Sequence, residues 1–438
     1  MEHIKFDLSQ KCGKFKMMNA TNGGPWHKRH ADDQARSNFA DYKALKLPYS
    51  RNHDSWYCAI YGGPYSHDIT AIFPNFDADV NDPASYDFAC TDESILVTLD
   101  AGTKTFFRLG QSIEHQIKKH GTLPPRDYQK WAEICEHIIM HYTEGWADGY
   151  ELDMPYWEIW NEPDLDTDDS PNKRTWGGTE ADFFDMYEIA AKHLKSRFPH
   201  LKIGGPALAG NMEWGERFLR EMQKRNVPID FFSWHIYTNT PHHVVLRAEQ
   251  VKEWLDKYGY GEAESILNEW NYVRGWDATT YPYTIMAIHG MKSAAFVMAC
   301  LSLTQYAPVD MLMYYDTRPS VFCGLFDYYS YKPLKAYYPF LWFAELYELD
   351  AVVKQAETTE PAIYSICGVD SDDKVRCIVT YYSENDYATP RTFDVDLGRD
   401  GEYDIYLLDA ENDAKFVGTT KDLTFTLNVK SCIMIRER

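Results

Sequence analysis

The feature that most constrains this chain is an alternation sustained from about residue 15 to 345, in which short apolar runs are separated by longer segments of helical periodicity. An apolar run of strand length followed by an amphipathic helix is the repeating unit of a parallel sheet, because parallel neighbours need a crossover connection. Eight runs read as strands: 15–19, 47–52, 105–109, 156–160, 201–204, 231–237, 265–268 and 311–315. Between them lie helical patterns at 126–142, 180–196, 214–225, 244–258 and 283–303, several ending near Gly or Pro. Eight parallel strands are the count of the closed (β/α)8 barrel. An open doubly wound sheet is disfavoured, since Asn22-Gly23-Gly24-Pro25 lacks the spacing of a phosphate-binding loop and reads as a turn.

After about Leu349 the pattern shortens to alternating segments at 362–368, 375–382, 391–397, 403–408 and 423–434, broken by turns such as Gly398-Arg399-Asp400-Gly401. Such a tail predicts a β-sandwich. The alternating residues 4–8 have no helix nearby and are expected to pair with it. The expected fold class is therefore α/β: a TIM barrel over 13–348 and a C-terminal β-sandwich domain over 349–438, joined by the N-terminal strand segment 1–12.

Charge narrows the partners. The chain has 44 basic and 66 acidic residues, a net charge of −22, which argues against nucleic acid or an anionic membrane as a partner. The nine cysteines (Cys12, Cys58, Cys90, Cys135, Cys300, Cys323, Cys367, Cys377, Cys432) form no CxxC pair and read as reduced, mostly buried thiols. Residues 1–8 show no apolar core of signal-peptide length, so a cytoplasmic location is expected.

Two glutamates carry the chemistry. Glu162 ends the run Tyr156-Trp157-Glu158-Ile159-Trp160-Asn161-Glu162-Pro163, and Glu269 ends Ser265-Ile266-Leu267-Asn268-Glu269. Each follows an asparagine at the exit of a predicted buried strand, the fourth and the seventh. In a barrel those exits share one mouth, and two facing carboxylates are what glycoside hydrolysis requires: one protonates the leaving oxygen while the other captures the oxocarbenium ion. Glu158 alternates away from its neighbours and is expected to be structural. The pair His27 and His30 has the spacing of metal ligands, but no carboxylate or cysteine set joins it. Residues 27–30 therefore read as a basic loop, and neither a metal nor a cofactor is expected.

Together with Gly204-Gly205-Pro206-Ala207, Phe232-Ser233-Trp234-His235-Ile236-Tyr237, Asn268-Glu269-Trp270-Asn271 and the segment from Gly324-Leu325 to Lys332-Pro333, the Trp-Asn-Glu-Pro signature resembles glycoside hydrolase family 39, home of β-xylosidases and α-L-iduronidases. The resemblance implies a retaining exo-acting glycosidase with Glu162 as general acid/base, Glu269 as nucleophile and Asn161 as donor to a sugar 2-hydroxyl. It places His235 and Tyr237 beside the nucleophile and likens Arg51 and His53 to an Arg-x-His at the end of strand two. A satisfied core histidine is the alternative for both His235 and His53.

The chain departs from the xylosidase pattern after strand three, at Arg108-Leu109-Gly110-Gln111-Ser112-Ile113-Glu114, and at strand eight, at Tyr314-Tyr315-Asp316, positions expected to line the pocket. Gln111, Tyr315, Asp316 and Arg318 are therefore candidate specificity residues, weighed against loop salt bridges and turn residues. The acidic loop 164–176 is first a solvated charge run and second a wall over the site, with Trp176 or Trp26 as a stacking platform. The expected partner is a xyloside or related small glycan. A uronide, arabinose or hexose enzyme on the same barrel is the alternative, with Arg318 the cation for a uronate, and a non-catalytic sugar-binding protein is the remote one. A homo-oligomer is compatible with the resemblance, although no residue identifies an interface.

Overall fold

A computed structural model describes residues 2–26, 36–54, 65–356, 358 and 360–438. Residues 27–30 and Cys58 lie outside the described residues. The eight parallel strands close into a barrel: β2 (Met17–Asn22), β3 (Tyr49–Arg51), β4 (Lys104–Leu109), β5 (Tyr156–Ile159), β6 (Lys202–Leu208), β7 (Phe231–Thr238), β8 (Glu264–Tyr272) and β9 (Met311–Tyr314), with β9 pairing back onto β2. They follow a short strand β1 (Glu2–Lys5). Each predicted strand is present, with ends moved by a few residues.

Inside the barrel, side chains stack in layers. An apolar plug of Ala20, Phe106, Tyr156, Phe231, Ile266, Met311 and Met313 fills the bottom. A buried polar layer comes above it, from Asn22, Arg51, Glu158, Ser233 and Asn268. Outward-facing residues of the same strands, such as Trp157, Ile159, Trp234 and Leu267, pack on the surrounding helices, as period-two alternation requires.

Eight further strands follow the barrel: β10 (Ala351–Val352), β11 (Ile363–Val369), β12 (Val375–Tyr381), β13 (Arg391–Asp396), β14 (Tyr403–Leu408), β15 (Lys415–Thr420), β16 (Thr424–Leu427) and β17 (Ser431–Glu437). Six form one sheet in the order β10-β11-β12-β17-β14-β15, and β1-β13-β16 form a second. The inner faces enclose a core that includes Ile4, Cys367, Cys377, Phe393, Val395 and Ile435. The N-terminal strand pairs with β13 in parallel, Glu2 opposite Phe393. The opposite face of the larger sheet presents Tyr364, Ile366, Ile378, Leu408 and Met434 to the barrel, in one continuous core with it.

Three details differ from expectation. The single helix expected over 283–303 is two, Tyr281–Ile288 and Met291–Thr304, bent by 77° where His289-Gly290 interrupts them. The run 423–434 is two strands, β16 and β17, because the segment between them turns at Lys430 with φ 65°. The two edge strands of the larger sheet do not show in the sequence pattern: β10 is only two residues long, and β15 has mostly exposed residues with no apolar alternation. Among the described residues no single helix is long and apolar enough to cross a membrane. All eight described cysteines are free thiols, with Cys12 and Cys90 exposed and the others buried.

Candidate active site

The barrel mouth opens into a cavity of about 1020 Å³ with Glu162 and Glu269 among its lining residues. Local backbone irregularity aims both carboxylates there. In β8 the pairing with β7 slips between Leu267 and Glu269, so Asn268 is an extra residue and Glu269 follows it toward the mouth instead of outward. Beyond β5, Trp160 (φ 73°) and Glu162 (φ 49°) adopt left-handed backbone, which turns the chain across the strand end. The Glu162 N–H donates to Ala207 O at 2.9 Å and the Glu162 carbonyl accepts from Thr175 Oγ1 at 2.5 Å, which holds the turn.

One oxygen of Glu162 and one of Glu269 lie within 4.8 Å of each other, with a His235 ring nitrogen inside the same radius. The two carboxylates have unequal surroundings. Glu269 accepts from Arg51 Nη1 at 2.7 Å on one oxygen and from the Tyr237 hydroxyl at 2.8 Å on the other. Glu162 is bonded to His235 Nδ1 at 2.7 Å, and that nitrogen is 3.6 Å from Glu269.

Burial pushes the Glu269 carboxyl above its ordinary range, against the pull of His235, Arg51 and the Tyr237 hydrogen bond. Burial alone would discharge His235, but the Glu269 charge and the bond to Glu162 outweigh it and raise the imidazole pKa. Burial raises the Tyr237 phenol well above its usual value, so it stays a donor. His53 is held neutral, first by burial and then by the nearby Arg51 and Arg108 charges. Arg108 Nε donates to His53 Nδ1 at 3.2 Å, which leaves the His53 proton on Nε2.

The polar layer underneath fixes this geometry. Arg51 donates through Nε to Glu158 at 2.6 Å, through Nη1 to Glu269 and to Asn22 at 3.2 Å, and through Nη2 to Asn161 Oδ1 at 2.6 Å. Glu158 in turn accepts from Ser233 Oγ at 2.6 Å and from Asn268 Nδ2. Glu158, expected to be structural, is thus two hydrogen bonds from Glu269. Glu162, Glu269 and His235 are the one group of potential metal ligands among the described residues. Their contact atoms are already engaged with one another, with Arg51 or with Tyr237, and the fixed Arg51 cation opposes a second positive charge. The arrangement suits proton transfer better than metal binding.

The remaining expected residues divide. His53, Gln111, Tyr237, Tyr315 and Arg318 line the cavity. Asn161 and His235 lie just behind its wall, fully buried, and among the described residues Asn161 Nδ2 and His235 Nε2 have no hydrogen-bond partner. Asp316 does not line the cavity: it is buried and binds Arg318 from behind, 2.7 Å from Nε. Trp176 is no platform either. Its ring packs against Trp160 and Phe183 in the core and its indole N–H donates to Thr179 O. Trp26 is half-buried outside the lining, with its backbone N–H donating to Asn38.

The acidic loop is more than a solvated run. Asp164 is buried, Asp166 pairs with Arg174 at 2.8 Å, and Leu165 and Arg174 form part of the cavity wall. Residues missed from sequence include Trp276, Tyr281 and Phe322 on one wall and His115, Gln116 and His120 on another, whereas Gln111 to Glu114, expected to line the pocket, do so.

An eight-stranded barrel with paired carboxylates at the ends of its fourth and seventh strands defines the class to which this protein belongs. Residues 9–258 match the model of Glycosyl hydrolases family 39, and the chain belongs to that family. Curated relatives are the β-xylosidase of Geobacillus stearothermophilus, 36% identical over 127 residues (28% of this chain, 24% of the relative), and that of Caldicellulosiruptor saccharolyticus, 29% identical over 183 residues (40% and 35%). The aligned stretches thus span about a quarter and a third of those relatives' lengths. A glucosidase from Croceicoccus marinus shares the fold end to end, with a TM-score of 0.79 at 22% identity, covering 100% of this chain and 99% of that one.

Proposed function

We propose that this protein is a retaining glycoside hydrolase of β-xylosidase type, acting by double displacement at the ends of glycans or on small glycosides. The observation that carries the proposal is the approach of Glu162 and Glu269 to within 4.8 Å with different donors on each. Retaining enzymes hold their carboxyl groups about 5–5.5 Å apart, whereas inverting enzymes need about 6.5–9.5 Å to admit a water.

Glu269, kept anionic by Arg51 and Tyr237, attacks the anomeric carbon. Glu162 delivers its proton to the departing oxygen, with His235 holding the carboxyl in place. Once Glu269 is esterified its negative charge is gone, and Glu162, left as a carboxylate by the first proton transfer, serves as base toward water in the second step. Asn161, anchored through its oxygen on Arg51, has its amide nitrogen available for a sugar hydroxyl. His53, Gln111 and Tyr315 would hold the rest of that ring.

The curated relatives support xylose as the sugar. A uronide enzyme is disfavoured because Arg318, the cation proposed for it, is already neutralised by Asp316 and by Asp54 at 2.9 Å. Glu269→Ala and Glu162→Ala should each lower turnover of activated aryl xylosides at least about a thousandfold, with azide restoring product from one or both. Wild-type rates in either variant would sink the proposal. A panel of nitrophenyl xyloside, arabinoside, glucoside, galactoside and uronide identifies the sugar.

A further inference from the structure

A cavity of about 1020 Å³ is at the top of the roughly 300–1,000 Å³ range that encloses a drug-sized ligand. One pyranose ring over Glu269 would leave much of it empty. The unclaimed part has one distinctive wall: Trp276, 59% exposed, with Tyr281 and Phe322 behind it. The three rings are close to parallel, Trp276 and Tyr281 inclined by 22° at 5.8 Å, Tyr281 and Phe322 by 17° at 6.4 Å. A core role does not explain an indole exposed to this degree.

The wall adjoins the reacting groups. Trp276 is 5.4 Å from the Tyr237 ring, centroid to centroid, and Tyr237 donates its hydroxyl to Glu269. The segment carrying Trp276 is also stiff. The Asp277 carboxylate accepts from the Thr279 and Thr280 N–H groups at 2.9 and 3.2 Å and from both threonine hydroxyls, and the Arg274 N–H donates to Thr284 Oγ1 at 3.1 Å. A Cβ added at Gly275 would come within 2.2 Å of Thr280 Oγ1, so the chain packs closely there. His115, Gln116 and His120 supply polar groups elsewhere on the lining. An apolar ring face with hydrogen-bonding groups nearby fits a pyranose, which has an apolar C–H face and a rim of hydroxyls.

Resting on the glycosidase reading above, we infer that Trp276, backed by Tyr281 and Phe322, is a stacking platform for a second pyranose ring of the substrate, next to the ring attacked by Glu269. The protein is then built for di- or oligosaccharide substrates, not for isolated monoglycosides. The test compares Trp276→Ala, Trp276→Phe and the parent protein on xylobiose, on nitrophenyl xyloside and on β-xylosyl fluoride, whose leaving group has no ring; gluco counterparts replace them if the aryl panel selects glucose.

Loss of the platform should lower kcat/KM for the disaccharide roughly tenfold relative to the fluoride, mostly through KM, with the phenylalanine variant retaining most of the difference. Equal losses on both substrates would overturn the inference, because a merely structural tryptophan affects them alike. A loss confined to nitrophenyl xyloside would overturn it too, in favour of an aromatic aglycone. Failure of the parent protein to release fluoride is distinguishable from both, since it removes the glycosidase reading itself.

Discussion

At the residue scale, Arg51 divides its charge between two buried carboxylates, Glu158 below and Glu269 above. A buried ion pair is costly to break, and here the lower partner also governs how strongly the upper one is stabilised. In Glu158→Gln the guanidinium acts on Glu269 undivided, so the Glu269 carboxyl falls from its raised position. The acid limb of the pH profile should then move to lower pH, and kcat should drop about ten- to a hundredfold with KM little changed, as for other residues that orient a reacting group. An unmoved limb with a raised KM would count against the relay.

In the parent protein the sign is opposite. Glu269 must be ionised to attack, burial raises its pKa, and activity is lost as pH falls through that raised value. The acid limb of kcat/KM is therefore expected above about 4.3, the usual glutamate value. A limb at or below that value in a pH-rate profile contradicts the account.

At the scale of elements, the loop that leaves β5 is stitched to the loop that leaves β6. The buried Asp164 carboxylate accepts from three successive backbone N–H groups, of Ala209 at 2.7 Å, Gly210 at 3.0 Å and Asn211 at 2.8 Å. Asp164→Ala, a change two residues from Glu162, strands those three donors. It should cost about 3 kcal/mol in denaturant unfolding, lower kcat, and speed hydrogen exchange at 209–211.

The eight strands were legible because their burial forces apolar runs, and the exit positions of Glu162 and Glu269 followed from counting. The aim of those side chains was not legible. Strand parity sends Glu269 outward, and only the bulge at Asn268 returns it; Glu162 shares the inward parity of Tyr156 and Glu158 but lies beyond the strand, where left-handed backbone at Trp160 and Glu162 sets its direction. Trp176 and Trp276 show the same limit from the other side. Both are tryptophans in loops after barrel strands, but one folds into the core and the other stays exposed. Composition does not distinguish them, because the difference lies in what each loop packs against.

At the scale of the whole molecule, the helix Met291–Thr304 is buried along nearly its whole length between the barrel and the six-stranded sheet. Lys292, 4% exposed, pairs with Asp386 at 3.0 Å and Glu384 at 3.6 Å and donates to Ser383 and Glu384 carbonyls. The same loop, which crosses from β12 of the larger sheet to β13 of the smaller, accepts from Tyr272 at the end of β8 and from Tyr283. Two bodies sharing a core and a buried ion cluster should melt as one. Scanning calorimetry is expected to give a single transition, and a truncation after Leu349 should be insoluble or largely unfolded. Two resolved transitions would refute the shared core.

The pairing of β1 with β13 bears on the order in which the chain is made. Residues 2–5 meet their partners only at 393–396. At synthesis rates of roughly 5–20 residues per second, β1 waits on the order of half a minute after its own synthesis for its neighbour to be translated. Throughout that interval Ile4 and Phe6, both buried in the finished protein, have no place to go. Closure of the smaller sheet is thus deferred until β13 has been made, which makes the nascent chain, more than the folded protein, the state in which this architecture is vulnerable.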